Sequence, residues 1–292
     1  MTLDADDTVA ALRAAGLDAA VELHPVPESD AVGVVIGVDD AAWFAAWQRA
    51  RQLVPTTGRW PLAVMDWSRS GHDPFSRFDM DTVPGLDVSP RAILDRSGAF
   101  DLDAALREAE HRSDGAWRPD RELIGLYLDE TRTLFGDAPD LDRFDDGPGQ
   151  LEVERRLFAW EREREPIEHW DDAYLEWFDP FDAALVLLPD PRPTSAYAYV
   201  GGHEWGYPHP DIRTAALERW HAQFGVEPVA NWGTMQQLVV PRPPTDLDDA
   251  FQLAAEISLL WPDTAGGANG VSTRRHARDL VGRGDWFLHY RP

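Results

Sequence analysis

The stretch Leu185-Val186-Leu187-Leu188-Pro189 decides the fold, because it reads as a buried strand that opens an alternating series of elements. A helix over 211–224 follows, with apolar residues at helical spacing and Gly225 as its stop. Next come a strand over 237–240, a helix after Pro243-Pro244 with Thr245 as its N-cap, a short helix over 272–281 and a closing strand over 286–290. This order predicts a C-terminal β-α-β-α-β module.

The N-terminal part alternates in the same way. Helices are predicted over 7–15 and from Asp39-Asp40 to 53, and strands over 20–26, 32–38 and 62–65. Trp43, Phe44 and Trp47 are expected on the buried side of the second helix. We therefore predict an α+β fold, in which a mixed β-sheet is flanked by helices.

The middle of the chain suggests a boundary. Residues 67–100 hold closely spaced Gly and Pro and predict irregular structure, whereas helices are expected over 101–112, 119–135 and 151–165. The last of these is so charged that it predicts a solvated face. Because 137–150 is rich in Asp, Gly and Pro, it is the linker candidate between an N-terminal α/β region, 1–136, and a C-terminal domain, 151–292. One continuous domain is the alternative.

Four landmarks give the C-terminal part a family resemblance: Trp220-His221, Phe224-Gly225-Val226-Glu227-Pro228, Arg242-Pro243-Pro244 and Trp261-Pro262-Asp263. Over about 185–290 the chain resembles the bacterial family known as domain of unknown function 4253. That family usually has Cys before the Pro-Asp pair, where this chain has Trp261. The resemblance implies no reaction and no catalytic residue.

Composition excludes several functions. The chain has 292 residues, a formal net charge of −25, no Cys, and 27 basic residues that are all Arg. Thiol chemistry, zinc–thiolate sites, Schiff-base lysines and P-loop lysines are therefore excluded. So acidic a chain predicts no binding to nucleic acid or membrane and favours a basic protein partner, although genome composition or a salt-adapted cytoplasm explains the same charge. The acidic N-terminus and the lack of a membrane-spanning run predict a cytoplasmic, soluble protein.

The strongest candidate site is a Gly- and Pro-rich loop that contains His203, Glu204, Trp205 and His209, to which His221 could be added if the loop folds back. Two His and a Glu could bind a divalent metal or act as acid and base. The alternative is a tight aromatic loop whose polar groups make local hydrogen bonds. Weaker candidates are Asp79 with Asp81, and the loop 265–270 before Arg274-Arg275-His276, which could grip an anion or act as a plain connector.

Two functions follow from these features. The favoured one is a non-catalytic protein-binding module, for example immunity-like or regulatory, because the domain pattern is clear and no catalytic set is complete. The alternative is a metal-assisted hydrolase that uses the loop from His203 to His209. No cofactor is predicted, and the sequence leaves the oligomeric state open.

Overall fold

A computed structural model describes residues 2–17, 20–65, 75, 86–116, 121–140, 149–167, 173–200, 211–265 and 271–290. The strands are β1 Val21–Pro25, β2 Val32–Gly37, β3 Trp60–Met65, β4 Ala183–Leu188, β5 Glu227–Asn231, β6 Met235–Val239 and β7 Asp285–His289. The α-helices are α1 Ala5–Ala14, α2 Trp43–Gln52, α3 Val54–Thr57, α4 Pro90–Ser97, α5 Leu102–Ala116, α6 Arg121–Phe135, α7 Gln150–Glu161, α8 Ala196–Tyr199, α9 Asp211–Phe224, α10 Leu247–Leu260 and α11 Thr273–Leu280.

The described strands form one mixed sheet in the order β1-β2-β4-β3-β5-β6-β7. β3 and β5 pair in parallel, and the other neighbouring pairs are antiparallel. Strand β4, which contains the deciding stretch, has a strand on each side and is buried at all six positions, so both faces of the sheet are covered there. The predicted α+β fold with a mixed sheet is confirmed.

The chain divides into two compact units that alternate along the sequence. The first unit comprises 1–100, 177–242 and 284–292, and it contains the whole described sheet. The second comprises 101–176 and 243–283, and its described regular elements are helices, α5, α6, α7, α10 and α11. The predicted linker, 137–150, falls inside the second unit, so the units follow a different division from the predicted one.

Helix α4 and strand β5 are among the elements that the sequence patterns do not predict. Helix α4 begins at Pro90 inside the stretch expected to be irregular, and Ser89 caps it by accepting a hydrogen bond from the Ala92 amide. Proline suits the first turn of a helix, where its missing N–H costs nothing. Strand β5 contains Pro228, and a register shift between Pro228 and Ala230 accommodates the irregularity.

Two local predictions need correction. The N-cap of α10 is Asp246, not Thr245, and the Asp246 carboxylate accepts from the Asp249 amide at 2.9 Å. Helix α7 is not a solvated helix, because Glu154 and Glu161 are each 1% exposed. Its buried face also carries the apolar residues Leu151, Val153, Leu157 and Phe158.

The end of α9 explains two of the family landmarks in physical terms. Gly225 ends the helix with a φ of +72°, a left-handed conformation that favours glycine. The Arg242 guanidinium then donates to the carbonyl oxygens of His221 and Ala222, at 3.3 and 3.1 Å. Trp220 and Phe224 of the same helix make edge contacts with Trp286 of β7. The landmarks that contain Gly225 and Arg242 therefore fix the C-terminal end of α9.

None of the described helices is long and apolar enough to cross a membrane.

Gly33 in β2 gives a stability prediction. A methyl group at Gly33 would overlap the ring of Phe75, which is 1% exposed, whereas one at Gly37 of the same strand meets nothing within 4 Å. We expect Gly33→Ala to lower the free energy of unfolding by about 1–3 kcal/mol through overpacking. The control Gly37→Ala should change it by less than about 1 kcal/mol. Urea unfolding of the two variants measures the difference, and equal midpoints would contradict the contact.

Candidate functional site

Four residues of the predicted loop site lie outside the described residues: His203, Glu204, Trp205 and His209. His221 is described and lies half-buried near the end of α9. Its Nδ1 is 2.9 Å from the Val226 carbonyl oxygen, and because a carbonyl only accepts, Nδ1 carries the proton. This bond ties His221 to the turn that leads into β5, which is a structural role.

No group of three or more His, Asp or Glu side chains among the described residues is arranged to hold a metal ion. The weaker candidates Asp79 and Asp81 lie outside the described residues, as do positions 266–270 of the predicted anion-binding loop.

The first unit contains an open hollow of about 610 Å³, which falls within the size range of ligand sites. Its described lining combines four aromatic residues, two carboxylates and two further residues: Trp43, Phe44, Trp177, Phe178, Asp179, Val239, Gly284 and Asp285. We call this feature the aromatic hollow. All of these residues belong to the first unit.

The aromatic wall is assembled from two separate pieces of chain. Trp177 packs edge-on against Phe44, with ring centres 5.2 Å apart, and lies 6.0 Å from Trp43. The Asp40 carboxylate, just before α2, accepts hydrogen bonds from the backbone amides of Asp182 and Ala183, at 3.0 and 2.7 Å. These bonds fix the segment that carries Trp177 against the helix that carries Trp43 and Phe44.

A buried polar link supports the wall from behind. The Gln237 side chain donates to the Phe178 carbonyl oxygen at 3.0 Å and accepts from the Trp232 indole N–H at 2.6 Å. Trp232 in turn packs edge-on against Trp43, with ring centres 5.3 Å apart. Because these groups are held by one another, the aromatic hollow has a preformed wall.

The charge of the aromatic hollow has one sign. Asp179 is exposed and Asp285 is half-buried, and none of the described lining residues is basic. The same segment carries Phe181, whose side chain remains 64% exposed two residues beyond Asp179. Exposed apolar surface that is rimmed by polar residues is a feature of interaction sites.

The second unit contains a buried cluster of charges around Arg274, which is 1% exposed. Its guanidinium contacts Glu130 at 2.6 Å, Glu154 at 3.0 Å and Glu161 at 3.1 Å. Burial raises the pKa of Glu154 to about 7, and it also raises the pKa of Glu161. The cluster joins α6, α7 and α11, so the Arg274 predicted as a possible anion ligand is engaged in holding helices together.

Beside it, His276 is buried and linked to two further groups. Tyr174 donates to Asp279 at 2.7 Å, so the hydrogen between Tyr174 and His276 Nδ1, 3.0 Å apart, belongs to the imidazole. Nε2 is then a lone pair, and it has no hydrogen-bond partner among the described residues. Burial lowers the pKa of His276 to about 3 and keeps the ring neutral. We assign this group a structural role, since a buried imidazole reaches no substrate.

The landmarks of the C-terminal part can now be compared with known families. Residues 184–290 match the family model described as Domain of unknown function (DUF4253). The predicted resemblance is confirmed for this segment. No curated protein and no solved structure matches the chain.

The DUF4253 segment supplies part of the aromatic hollow. Val239, Gly284 and Asp285 lie within the matched residues, whereas the aromatic wall comes from residues before position 184. Trp261, which precedes the Pro-Asp pair, is 1% exposed and follows the end of α10 as a core residue. The sequence predicted Trp43 and Phe44 as packing residues. It did not single out Trp177, Phe178 or Asp179, although an aromatic pair followed by a carboxylate and Pro180 was the available signal.

Proposed function

We propose that this protein is a non-catalytic binding module for a basic protein partner, and that the aromatic hollow is its binding site. The observation that carries the proposal is the joint presence of four aromatic residues and two carboxylates in that hollow. Its described lining places the carboxylates of Asp179 and Asp285 beside aromatic residues, a combination suited to binding a cationic group.

The charge of the whole chain supports the same partner. A net charge of −25 accelerates association with a cationic protein and repels nucleic acid and anionic lipid. Long-range attraction alone carries little specificity, so a local site is needed to select the partner. Aromatic residues are enriched at the centre of protein interfaces, and the exposed Phe181 extends the apolar surface beside the hollow. We also propose that the protein acts in the cytoplasm, as the sequence predicts.

The test compares two neutralising variants of equal charge change. Asp179→Asn removes a carboxylate of the hollow, and Asp30→Asn removes an exposed one that does not line it. We expect Asp179→Asn to weaken the binding of an arginine-rich labelled peptide about three- to tenfold, because a carboxylate at the contact is lost. Asp30→Asn should change it by less than about twofold. Fluorescence anisotropy at about 0.15 M salt, where the Debye length is about 8 Å, measures both.

Two outcomes would count against the proposal. Equal losses in the two variants would mean that the peptide senses only net charge. Equal binding of glutamate-rich and arginine-rich peptides would mean that the hollow does not select a basic partner.

The rival function predicted from the sequence, a metal-assisted hydrolase, depends on His203, Glu204 and His209. These residues lie outside the described residues, so the rival is judged by metal analysis. One equivalent of bound zinc, manganese or magnesium that is lost in His203→Ala and His209→Ala would favour it over the binding module.

A further inference from the structure

We infer that the aromatic hollow recognises a guanidinium group, so that an arginine side chain of the partner is its specific ligand. This inference rests on the proposed function and deepens it, because it names the chemical group that enters the site.

The rings favour a cation with flat apolar faces. Trp43, Phe44 and Trp177 line the hollow together, and the face of an aromatic ring carries partial negative charge, most strongly in tryptophan. A guanidinium is planar and weakly hydrated, so it stacks on such a face at little desolvation cost. An ammonium is compact and strongly hydrated, so its desolvation costs more free energy.

The carboxylates favour a cationic ligand. Asp179 and Asp285 would repel an anion. A guanidinium supplies five N–H donors, and its fork matches the geometry of a carboxylate. Aromatic faces and acceptor oxygens in one hollow therefore fit both parts of its chemistry.

The same chemistry occurs elsewhere in the first unit. The guanidinium of Arg51 lies 4.8 Å from the ring centre of Trp60 and donates to both carboxylate oxygens of Glu227, at 3.0 and 2.6 Å. This internal group combines tryptophan, carboxylate and guanidinium. The hollow offers the first two of these three components to a ligand from outside.

The space exceeds what one guanidinium fills. A volume of about 610 Å³ also accommodates the aliphatic stem of the side chain and part of a neighbouring residue. We therefore expect the arginine to be presented by a peptide segment, with the adjoining residue near the exposed Phe181.

The test uses a small probe, Nα-acetyl-arginine methylamide, with the citrulline analogue as a neutral control of almost the same shape. Binding is followed in ¹H–¹⁵N spectra through the indole signal of Trp177, assigned by its loss in Trp177→Phe. We expect the arginine probe to shift this signal saturably and to bind at least about fivefold more tightly than the citrulline probe. Asp179→Asn should weaken the arginine probe by a similar factor, whereas Asp30→Asn should leave its affinity unchanged.

Each alternative outcome has a distinct meaning. Equal affinity for the arginine and citrulline probes, or tighter binding of the lysine analogue, would overturn the guanidinium assignment. If arginine-rich peptides bind through Asp179 but the small probe produces no shift, this inference fails and the proposed function stands. If neither the peptides nor the probe bind, both fail. Because Asp179 is exposed, Asp179→Asn keeps the test valid even if a tryptophan variant does not fold.

Discussion

Arg274→Met should destabilise the second unit by about 3–5 kcal/mol at neutral pH, since removing one partner of a buried ion pair leaves the other charge uncompensated. Glu154 and Glu161 are both 1% exposed, and Arg274 is the cation that contacts them most closely. The loss of Arg274 costs less free energy at Glu130, because the Glu130 side chain is 23% exposed and water can solvate it. The substitution to methionine keeps most of the volume, so the loss reports charge rather than a cavity.

The measurement is hydrogen exchange of peptides from α7 and α11, followed through the pH range, because it reads the second unit directly. Arg162→Met is the control. Arg162 pairs with Asp248 at 2.6 Å, but both side chains are about half exposed, and such a pair contributes about 0–1 kcal/mol. Losses of protection that are equal in the two variants would show that the buried carboxylates do not need Arg274.

Sequence patterns recovered the elements whose signals are local. Helix α9 has the predicted bounds and strand β4 contains the predicted apolar run, since such a run and a helix closed by Gly225 are decided by neighbouring residues. Strand β5 is not predicted, because Gly225 and Pro228 indicate a turn when only neighbouring residues are considered. Pairing with β3 and β6 stabilises that strand, and those partners are remote in sequence.

The aromatic hollow could not be predicted in the same way. The positions of Trp43 and Phe44 in α2 indicate that both side chains pack inward. Their contact with Trp177, however, joins residues more than a hundred positions apart. No local pattern encodes such a contact. The buried glutamates of α7 were mistaken for surface residues for a related reason: their cation, Arg274, lies on α11 far along the chain.

The two charge environments of this protein have opposite consequences. In the aromatic hollow, Asp179 is exposed to solvent and Asp285 is half-buried. Around Arg274, carboxylates are buried and share one guanidinium, so they stabilise the fold only while their charges are balanced. Under the proposed function the carboxylates of the first unit contribute to recognition, whereas the buried carboxylates of the second unit set a pH limit on its stability.

That pH limit is the second prediction with a large effect. Glu154 faces Arg274, Glu130, Glu161 and Tyr127 and accepts from the Thr273 amide. Desolvation is the largest influence on it and outweighs the attraction of Arg274, so its pKa rises from an ordinary 4.5 to about 7 in the folded protein. Between these two values the folded state binds more protons at this site than the unfolded state. Stability from this group is therefore full below the unfolded pKa and declines as pH rises through the folded one.

Glu154→Gln should remove this pH dependence, because glutamine keeps the shape and cannot ionise. We expect the wild-type second unit to lose on the order of 3 kcal/mol between about pH 5 and pH 8 from this group, and the variant to lose much less. Glu152→Gln is the matched control on the same helix, since ion pairs with Arg155 and Arg156 lower the pKa of Glu152 and its titration acts in the opposite direction. Hydrogen exchange of α7 and α11 at several pH values, corrected for intrinsic exchange rates, decides between them. If Glu154→Gln retains the full decline, another group takes up the proton, and the assignment of the pH dependence to Glu154 is wrong.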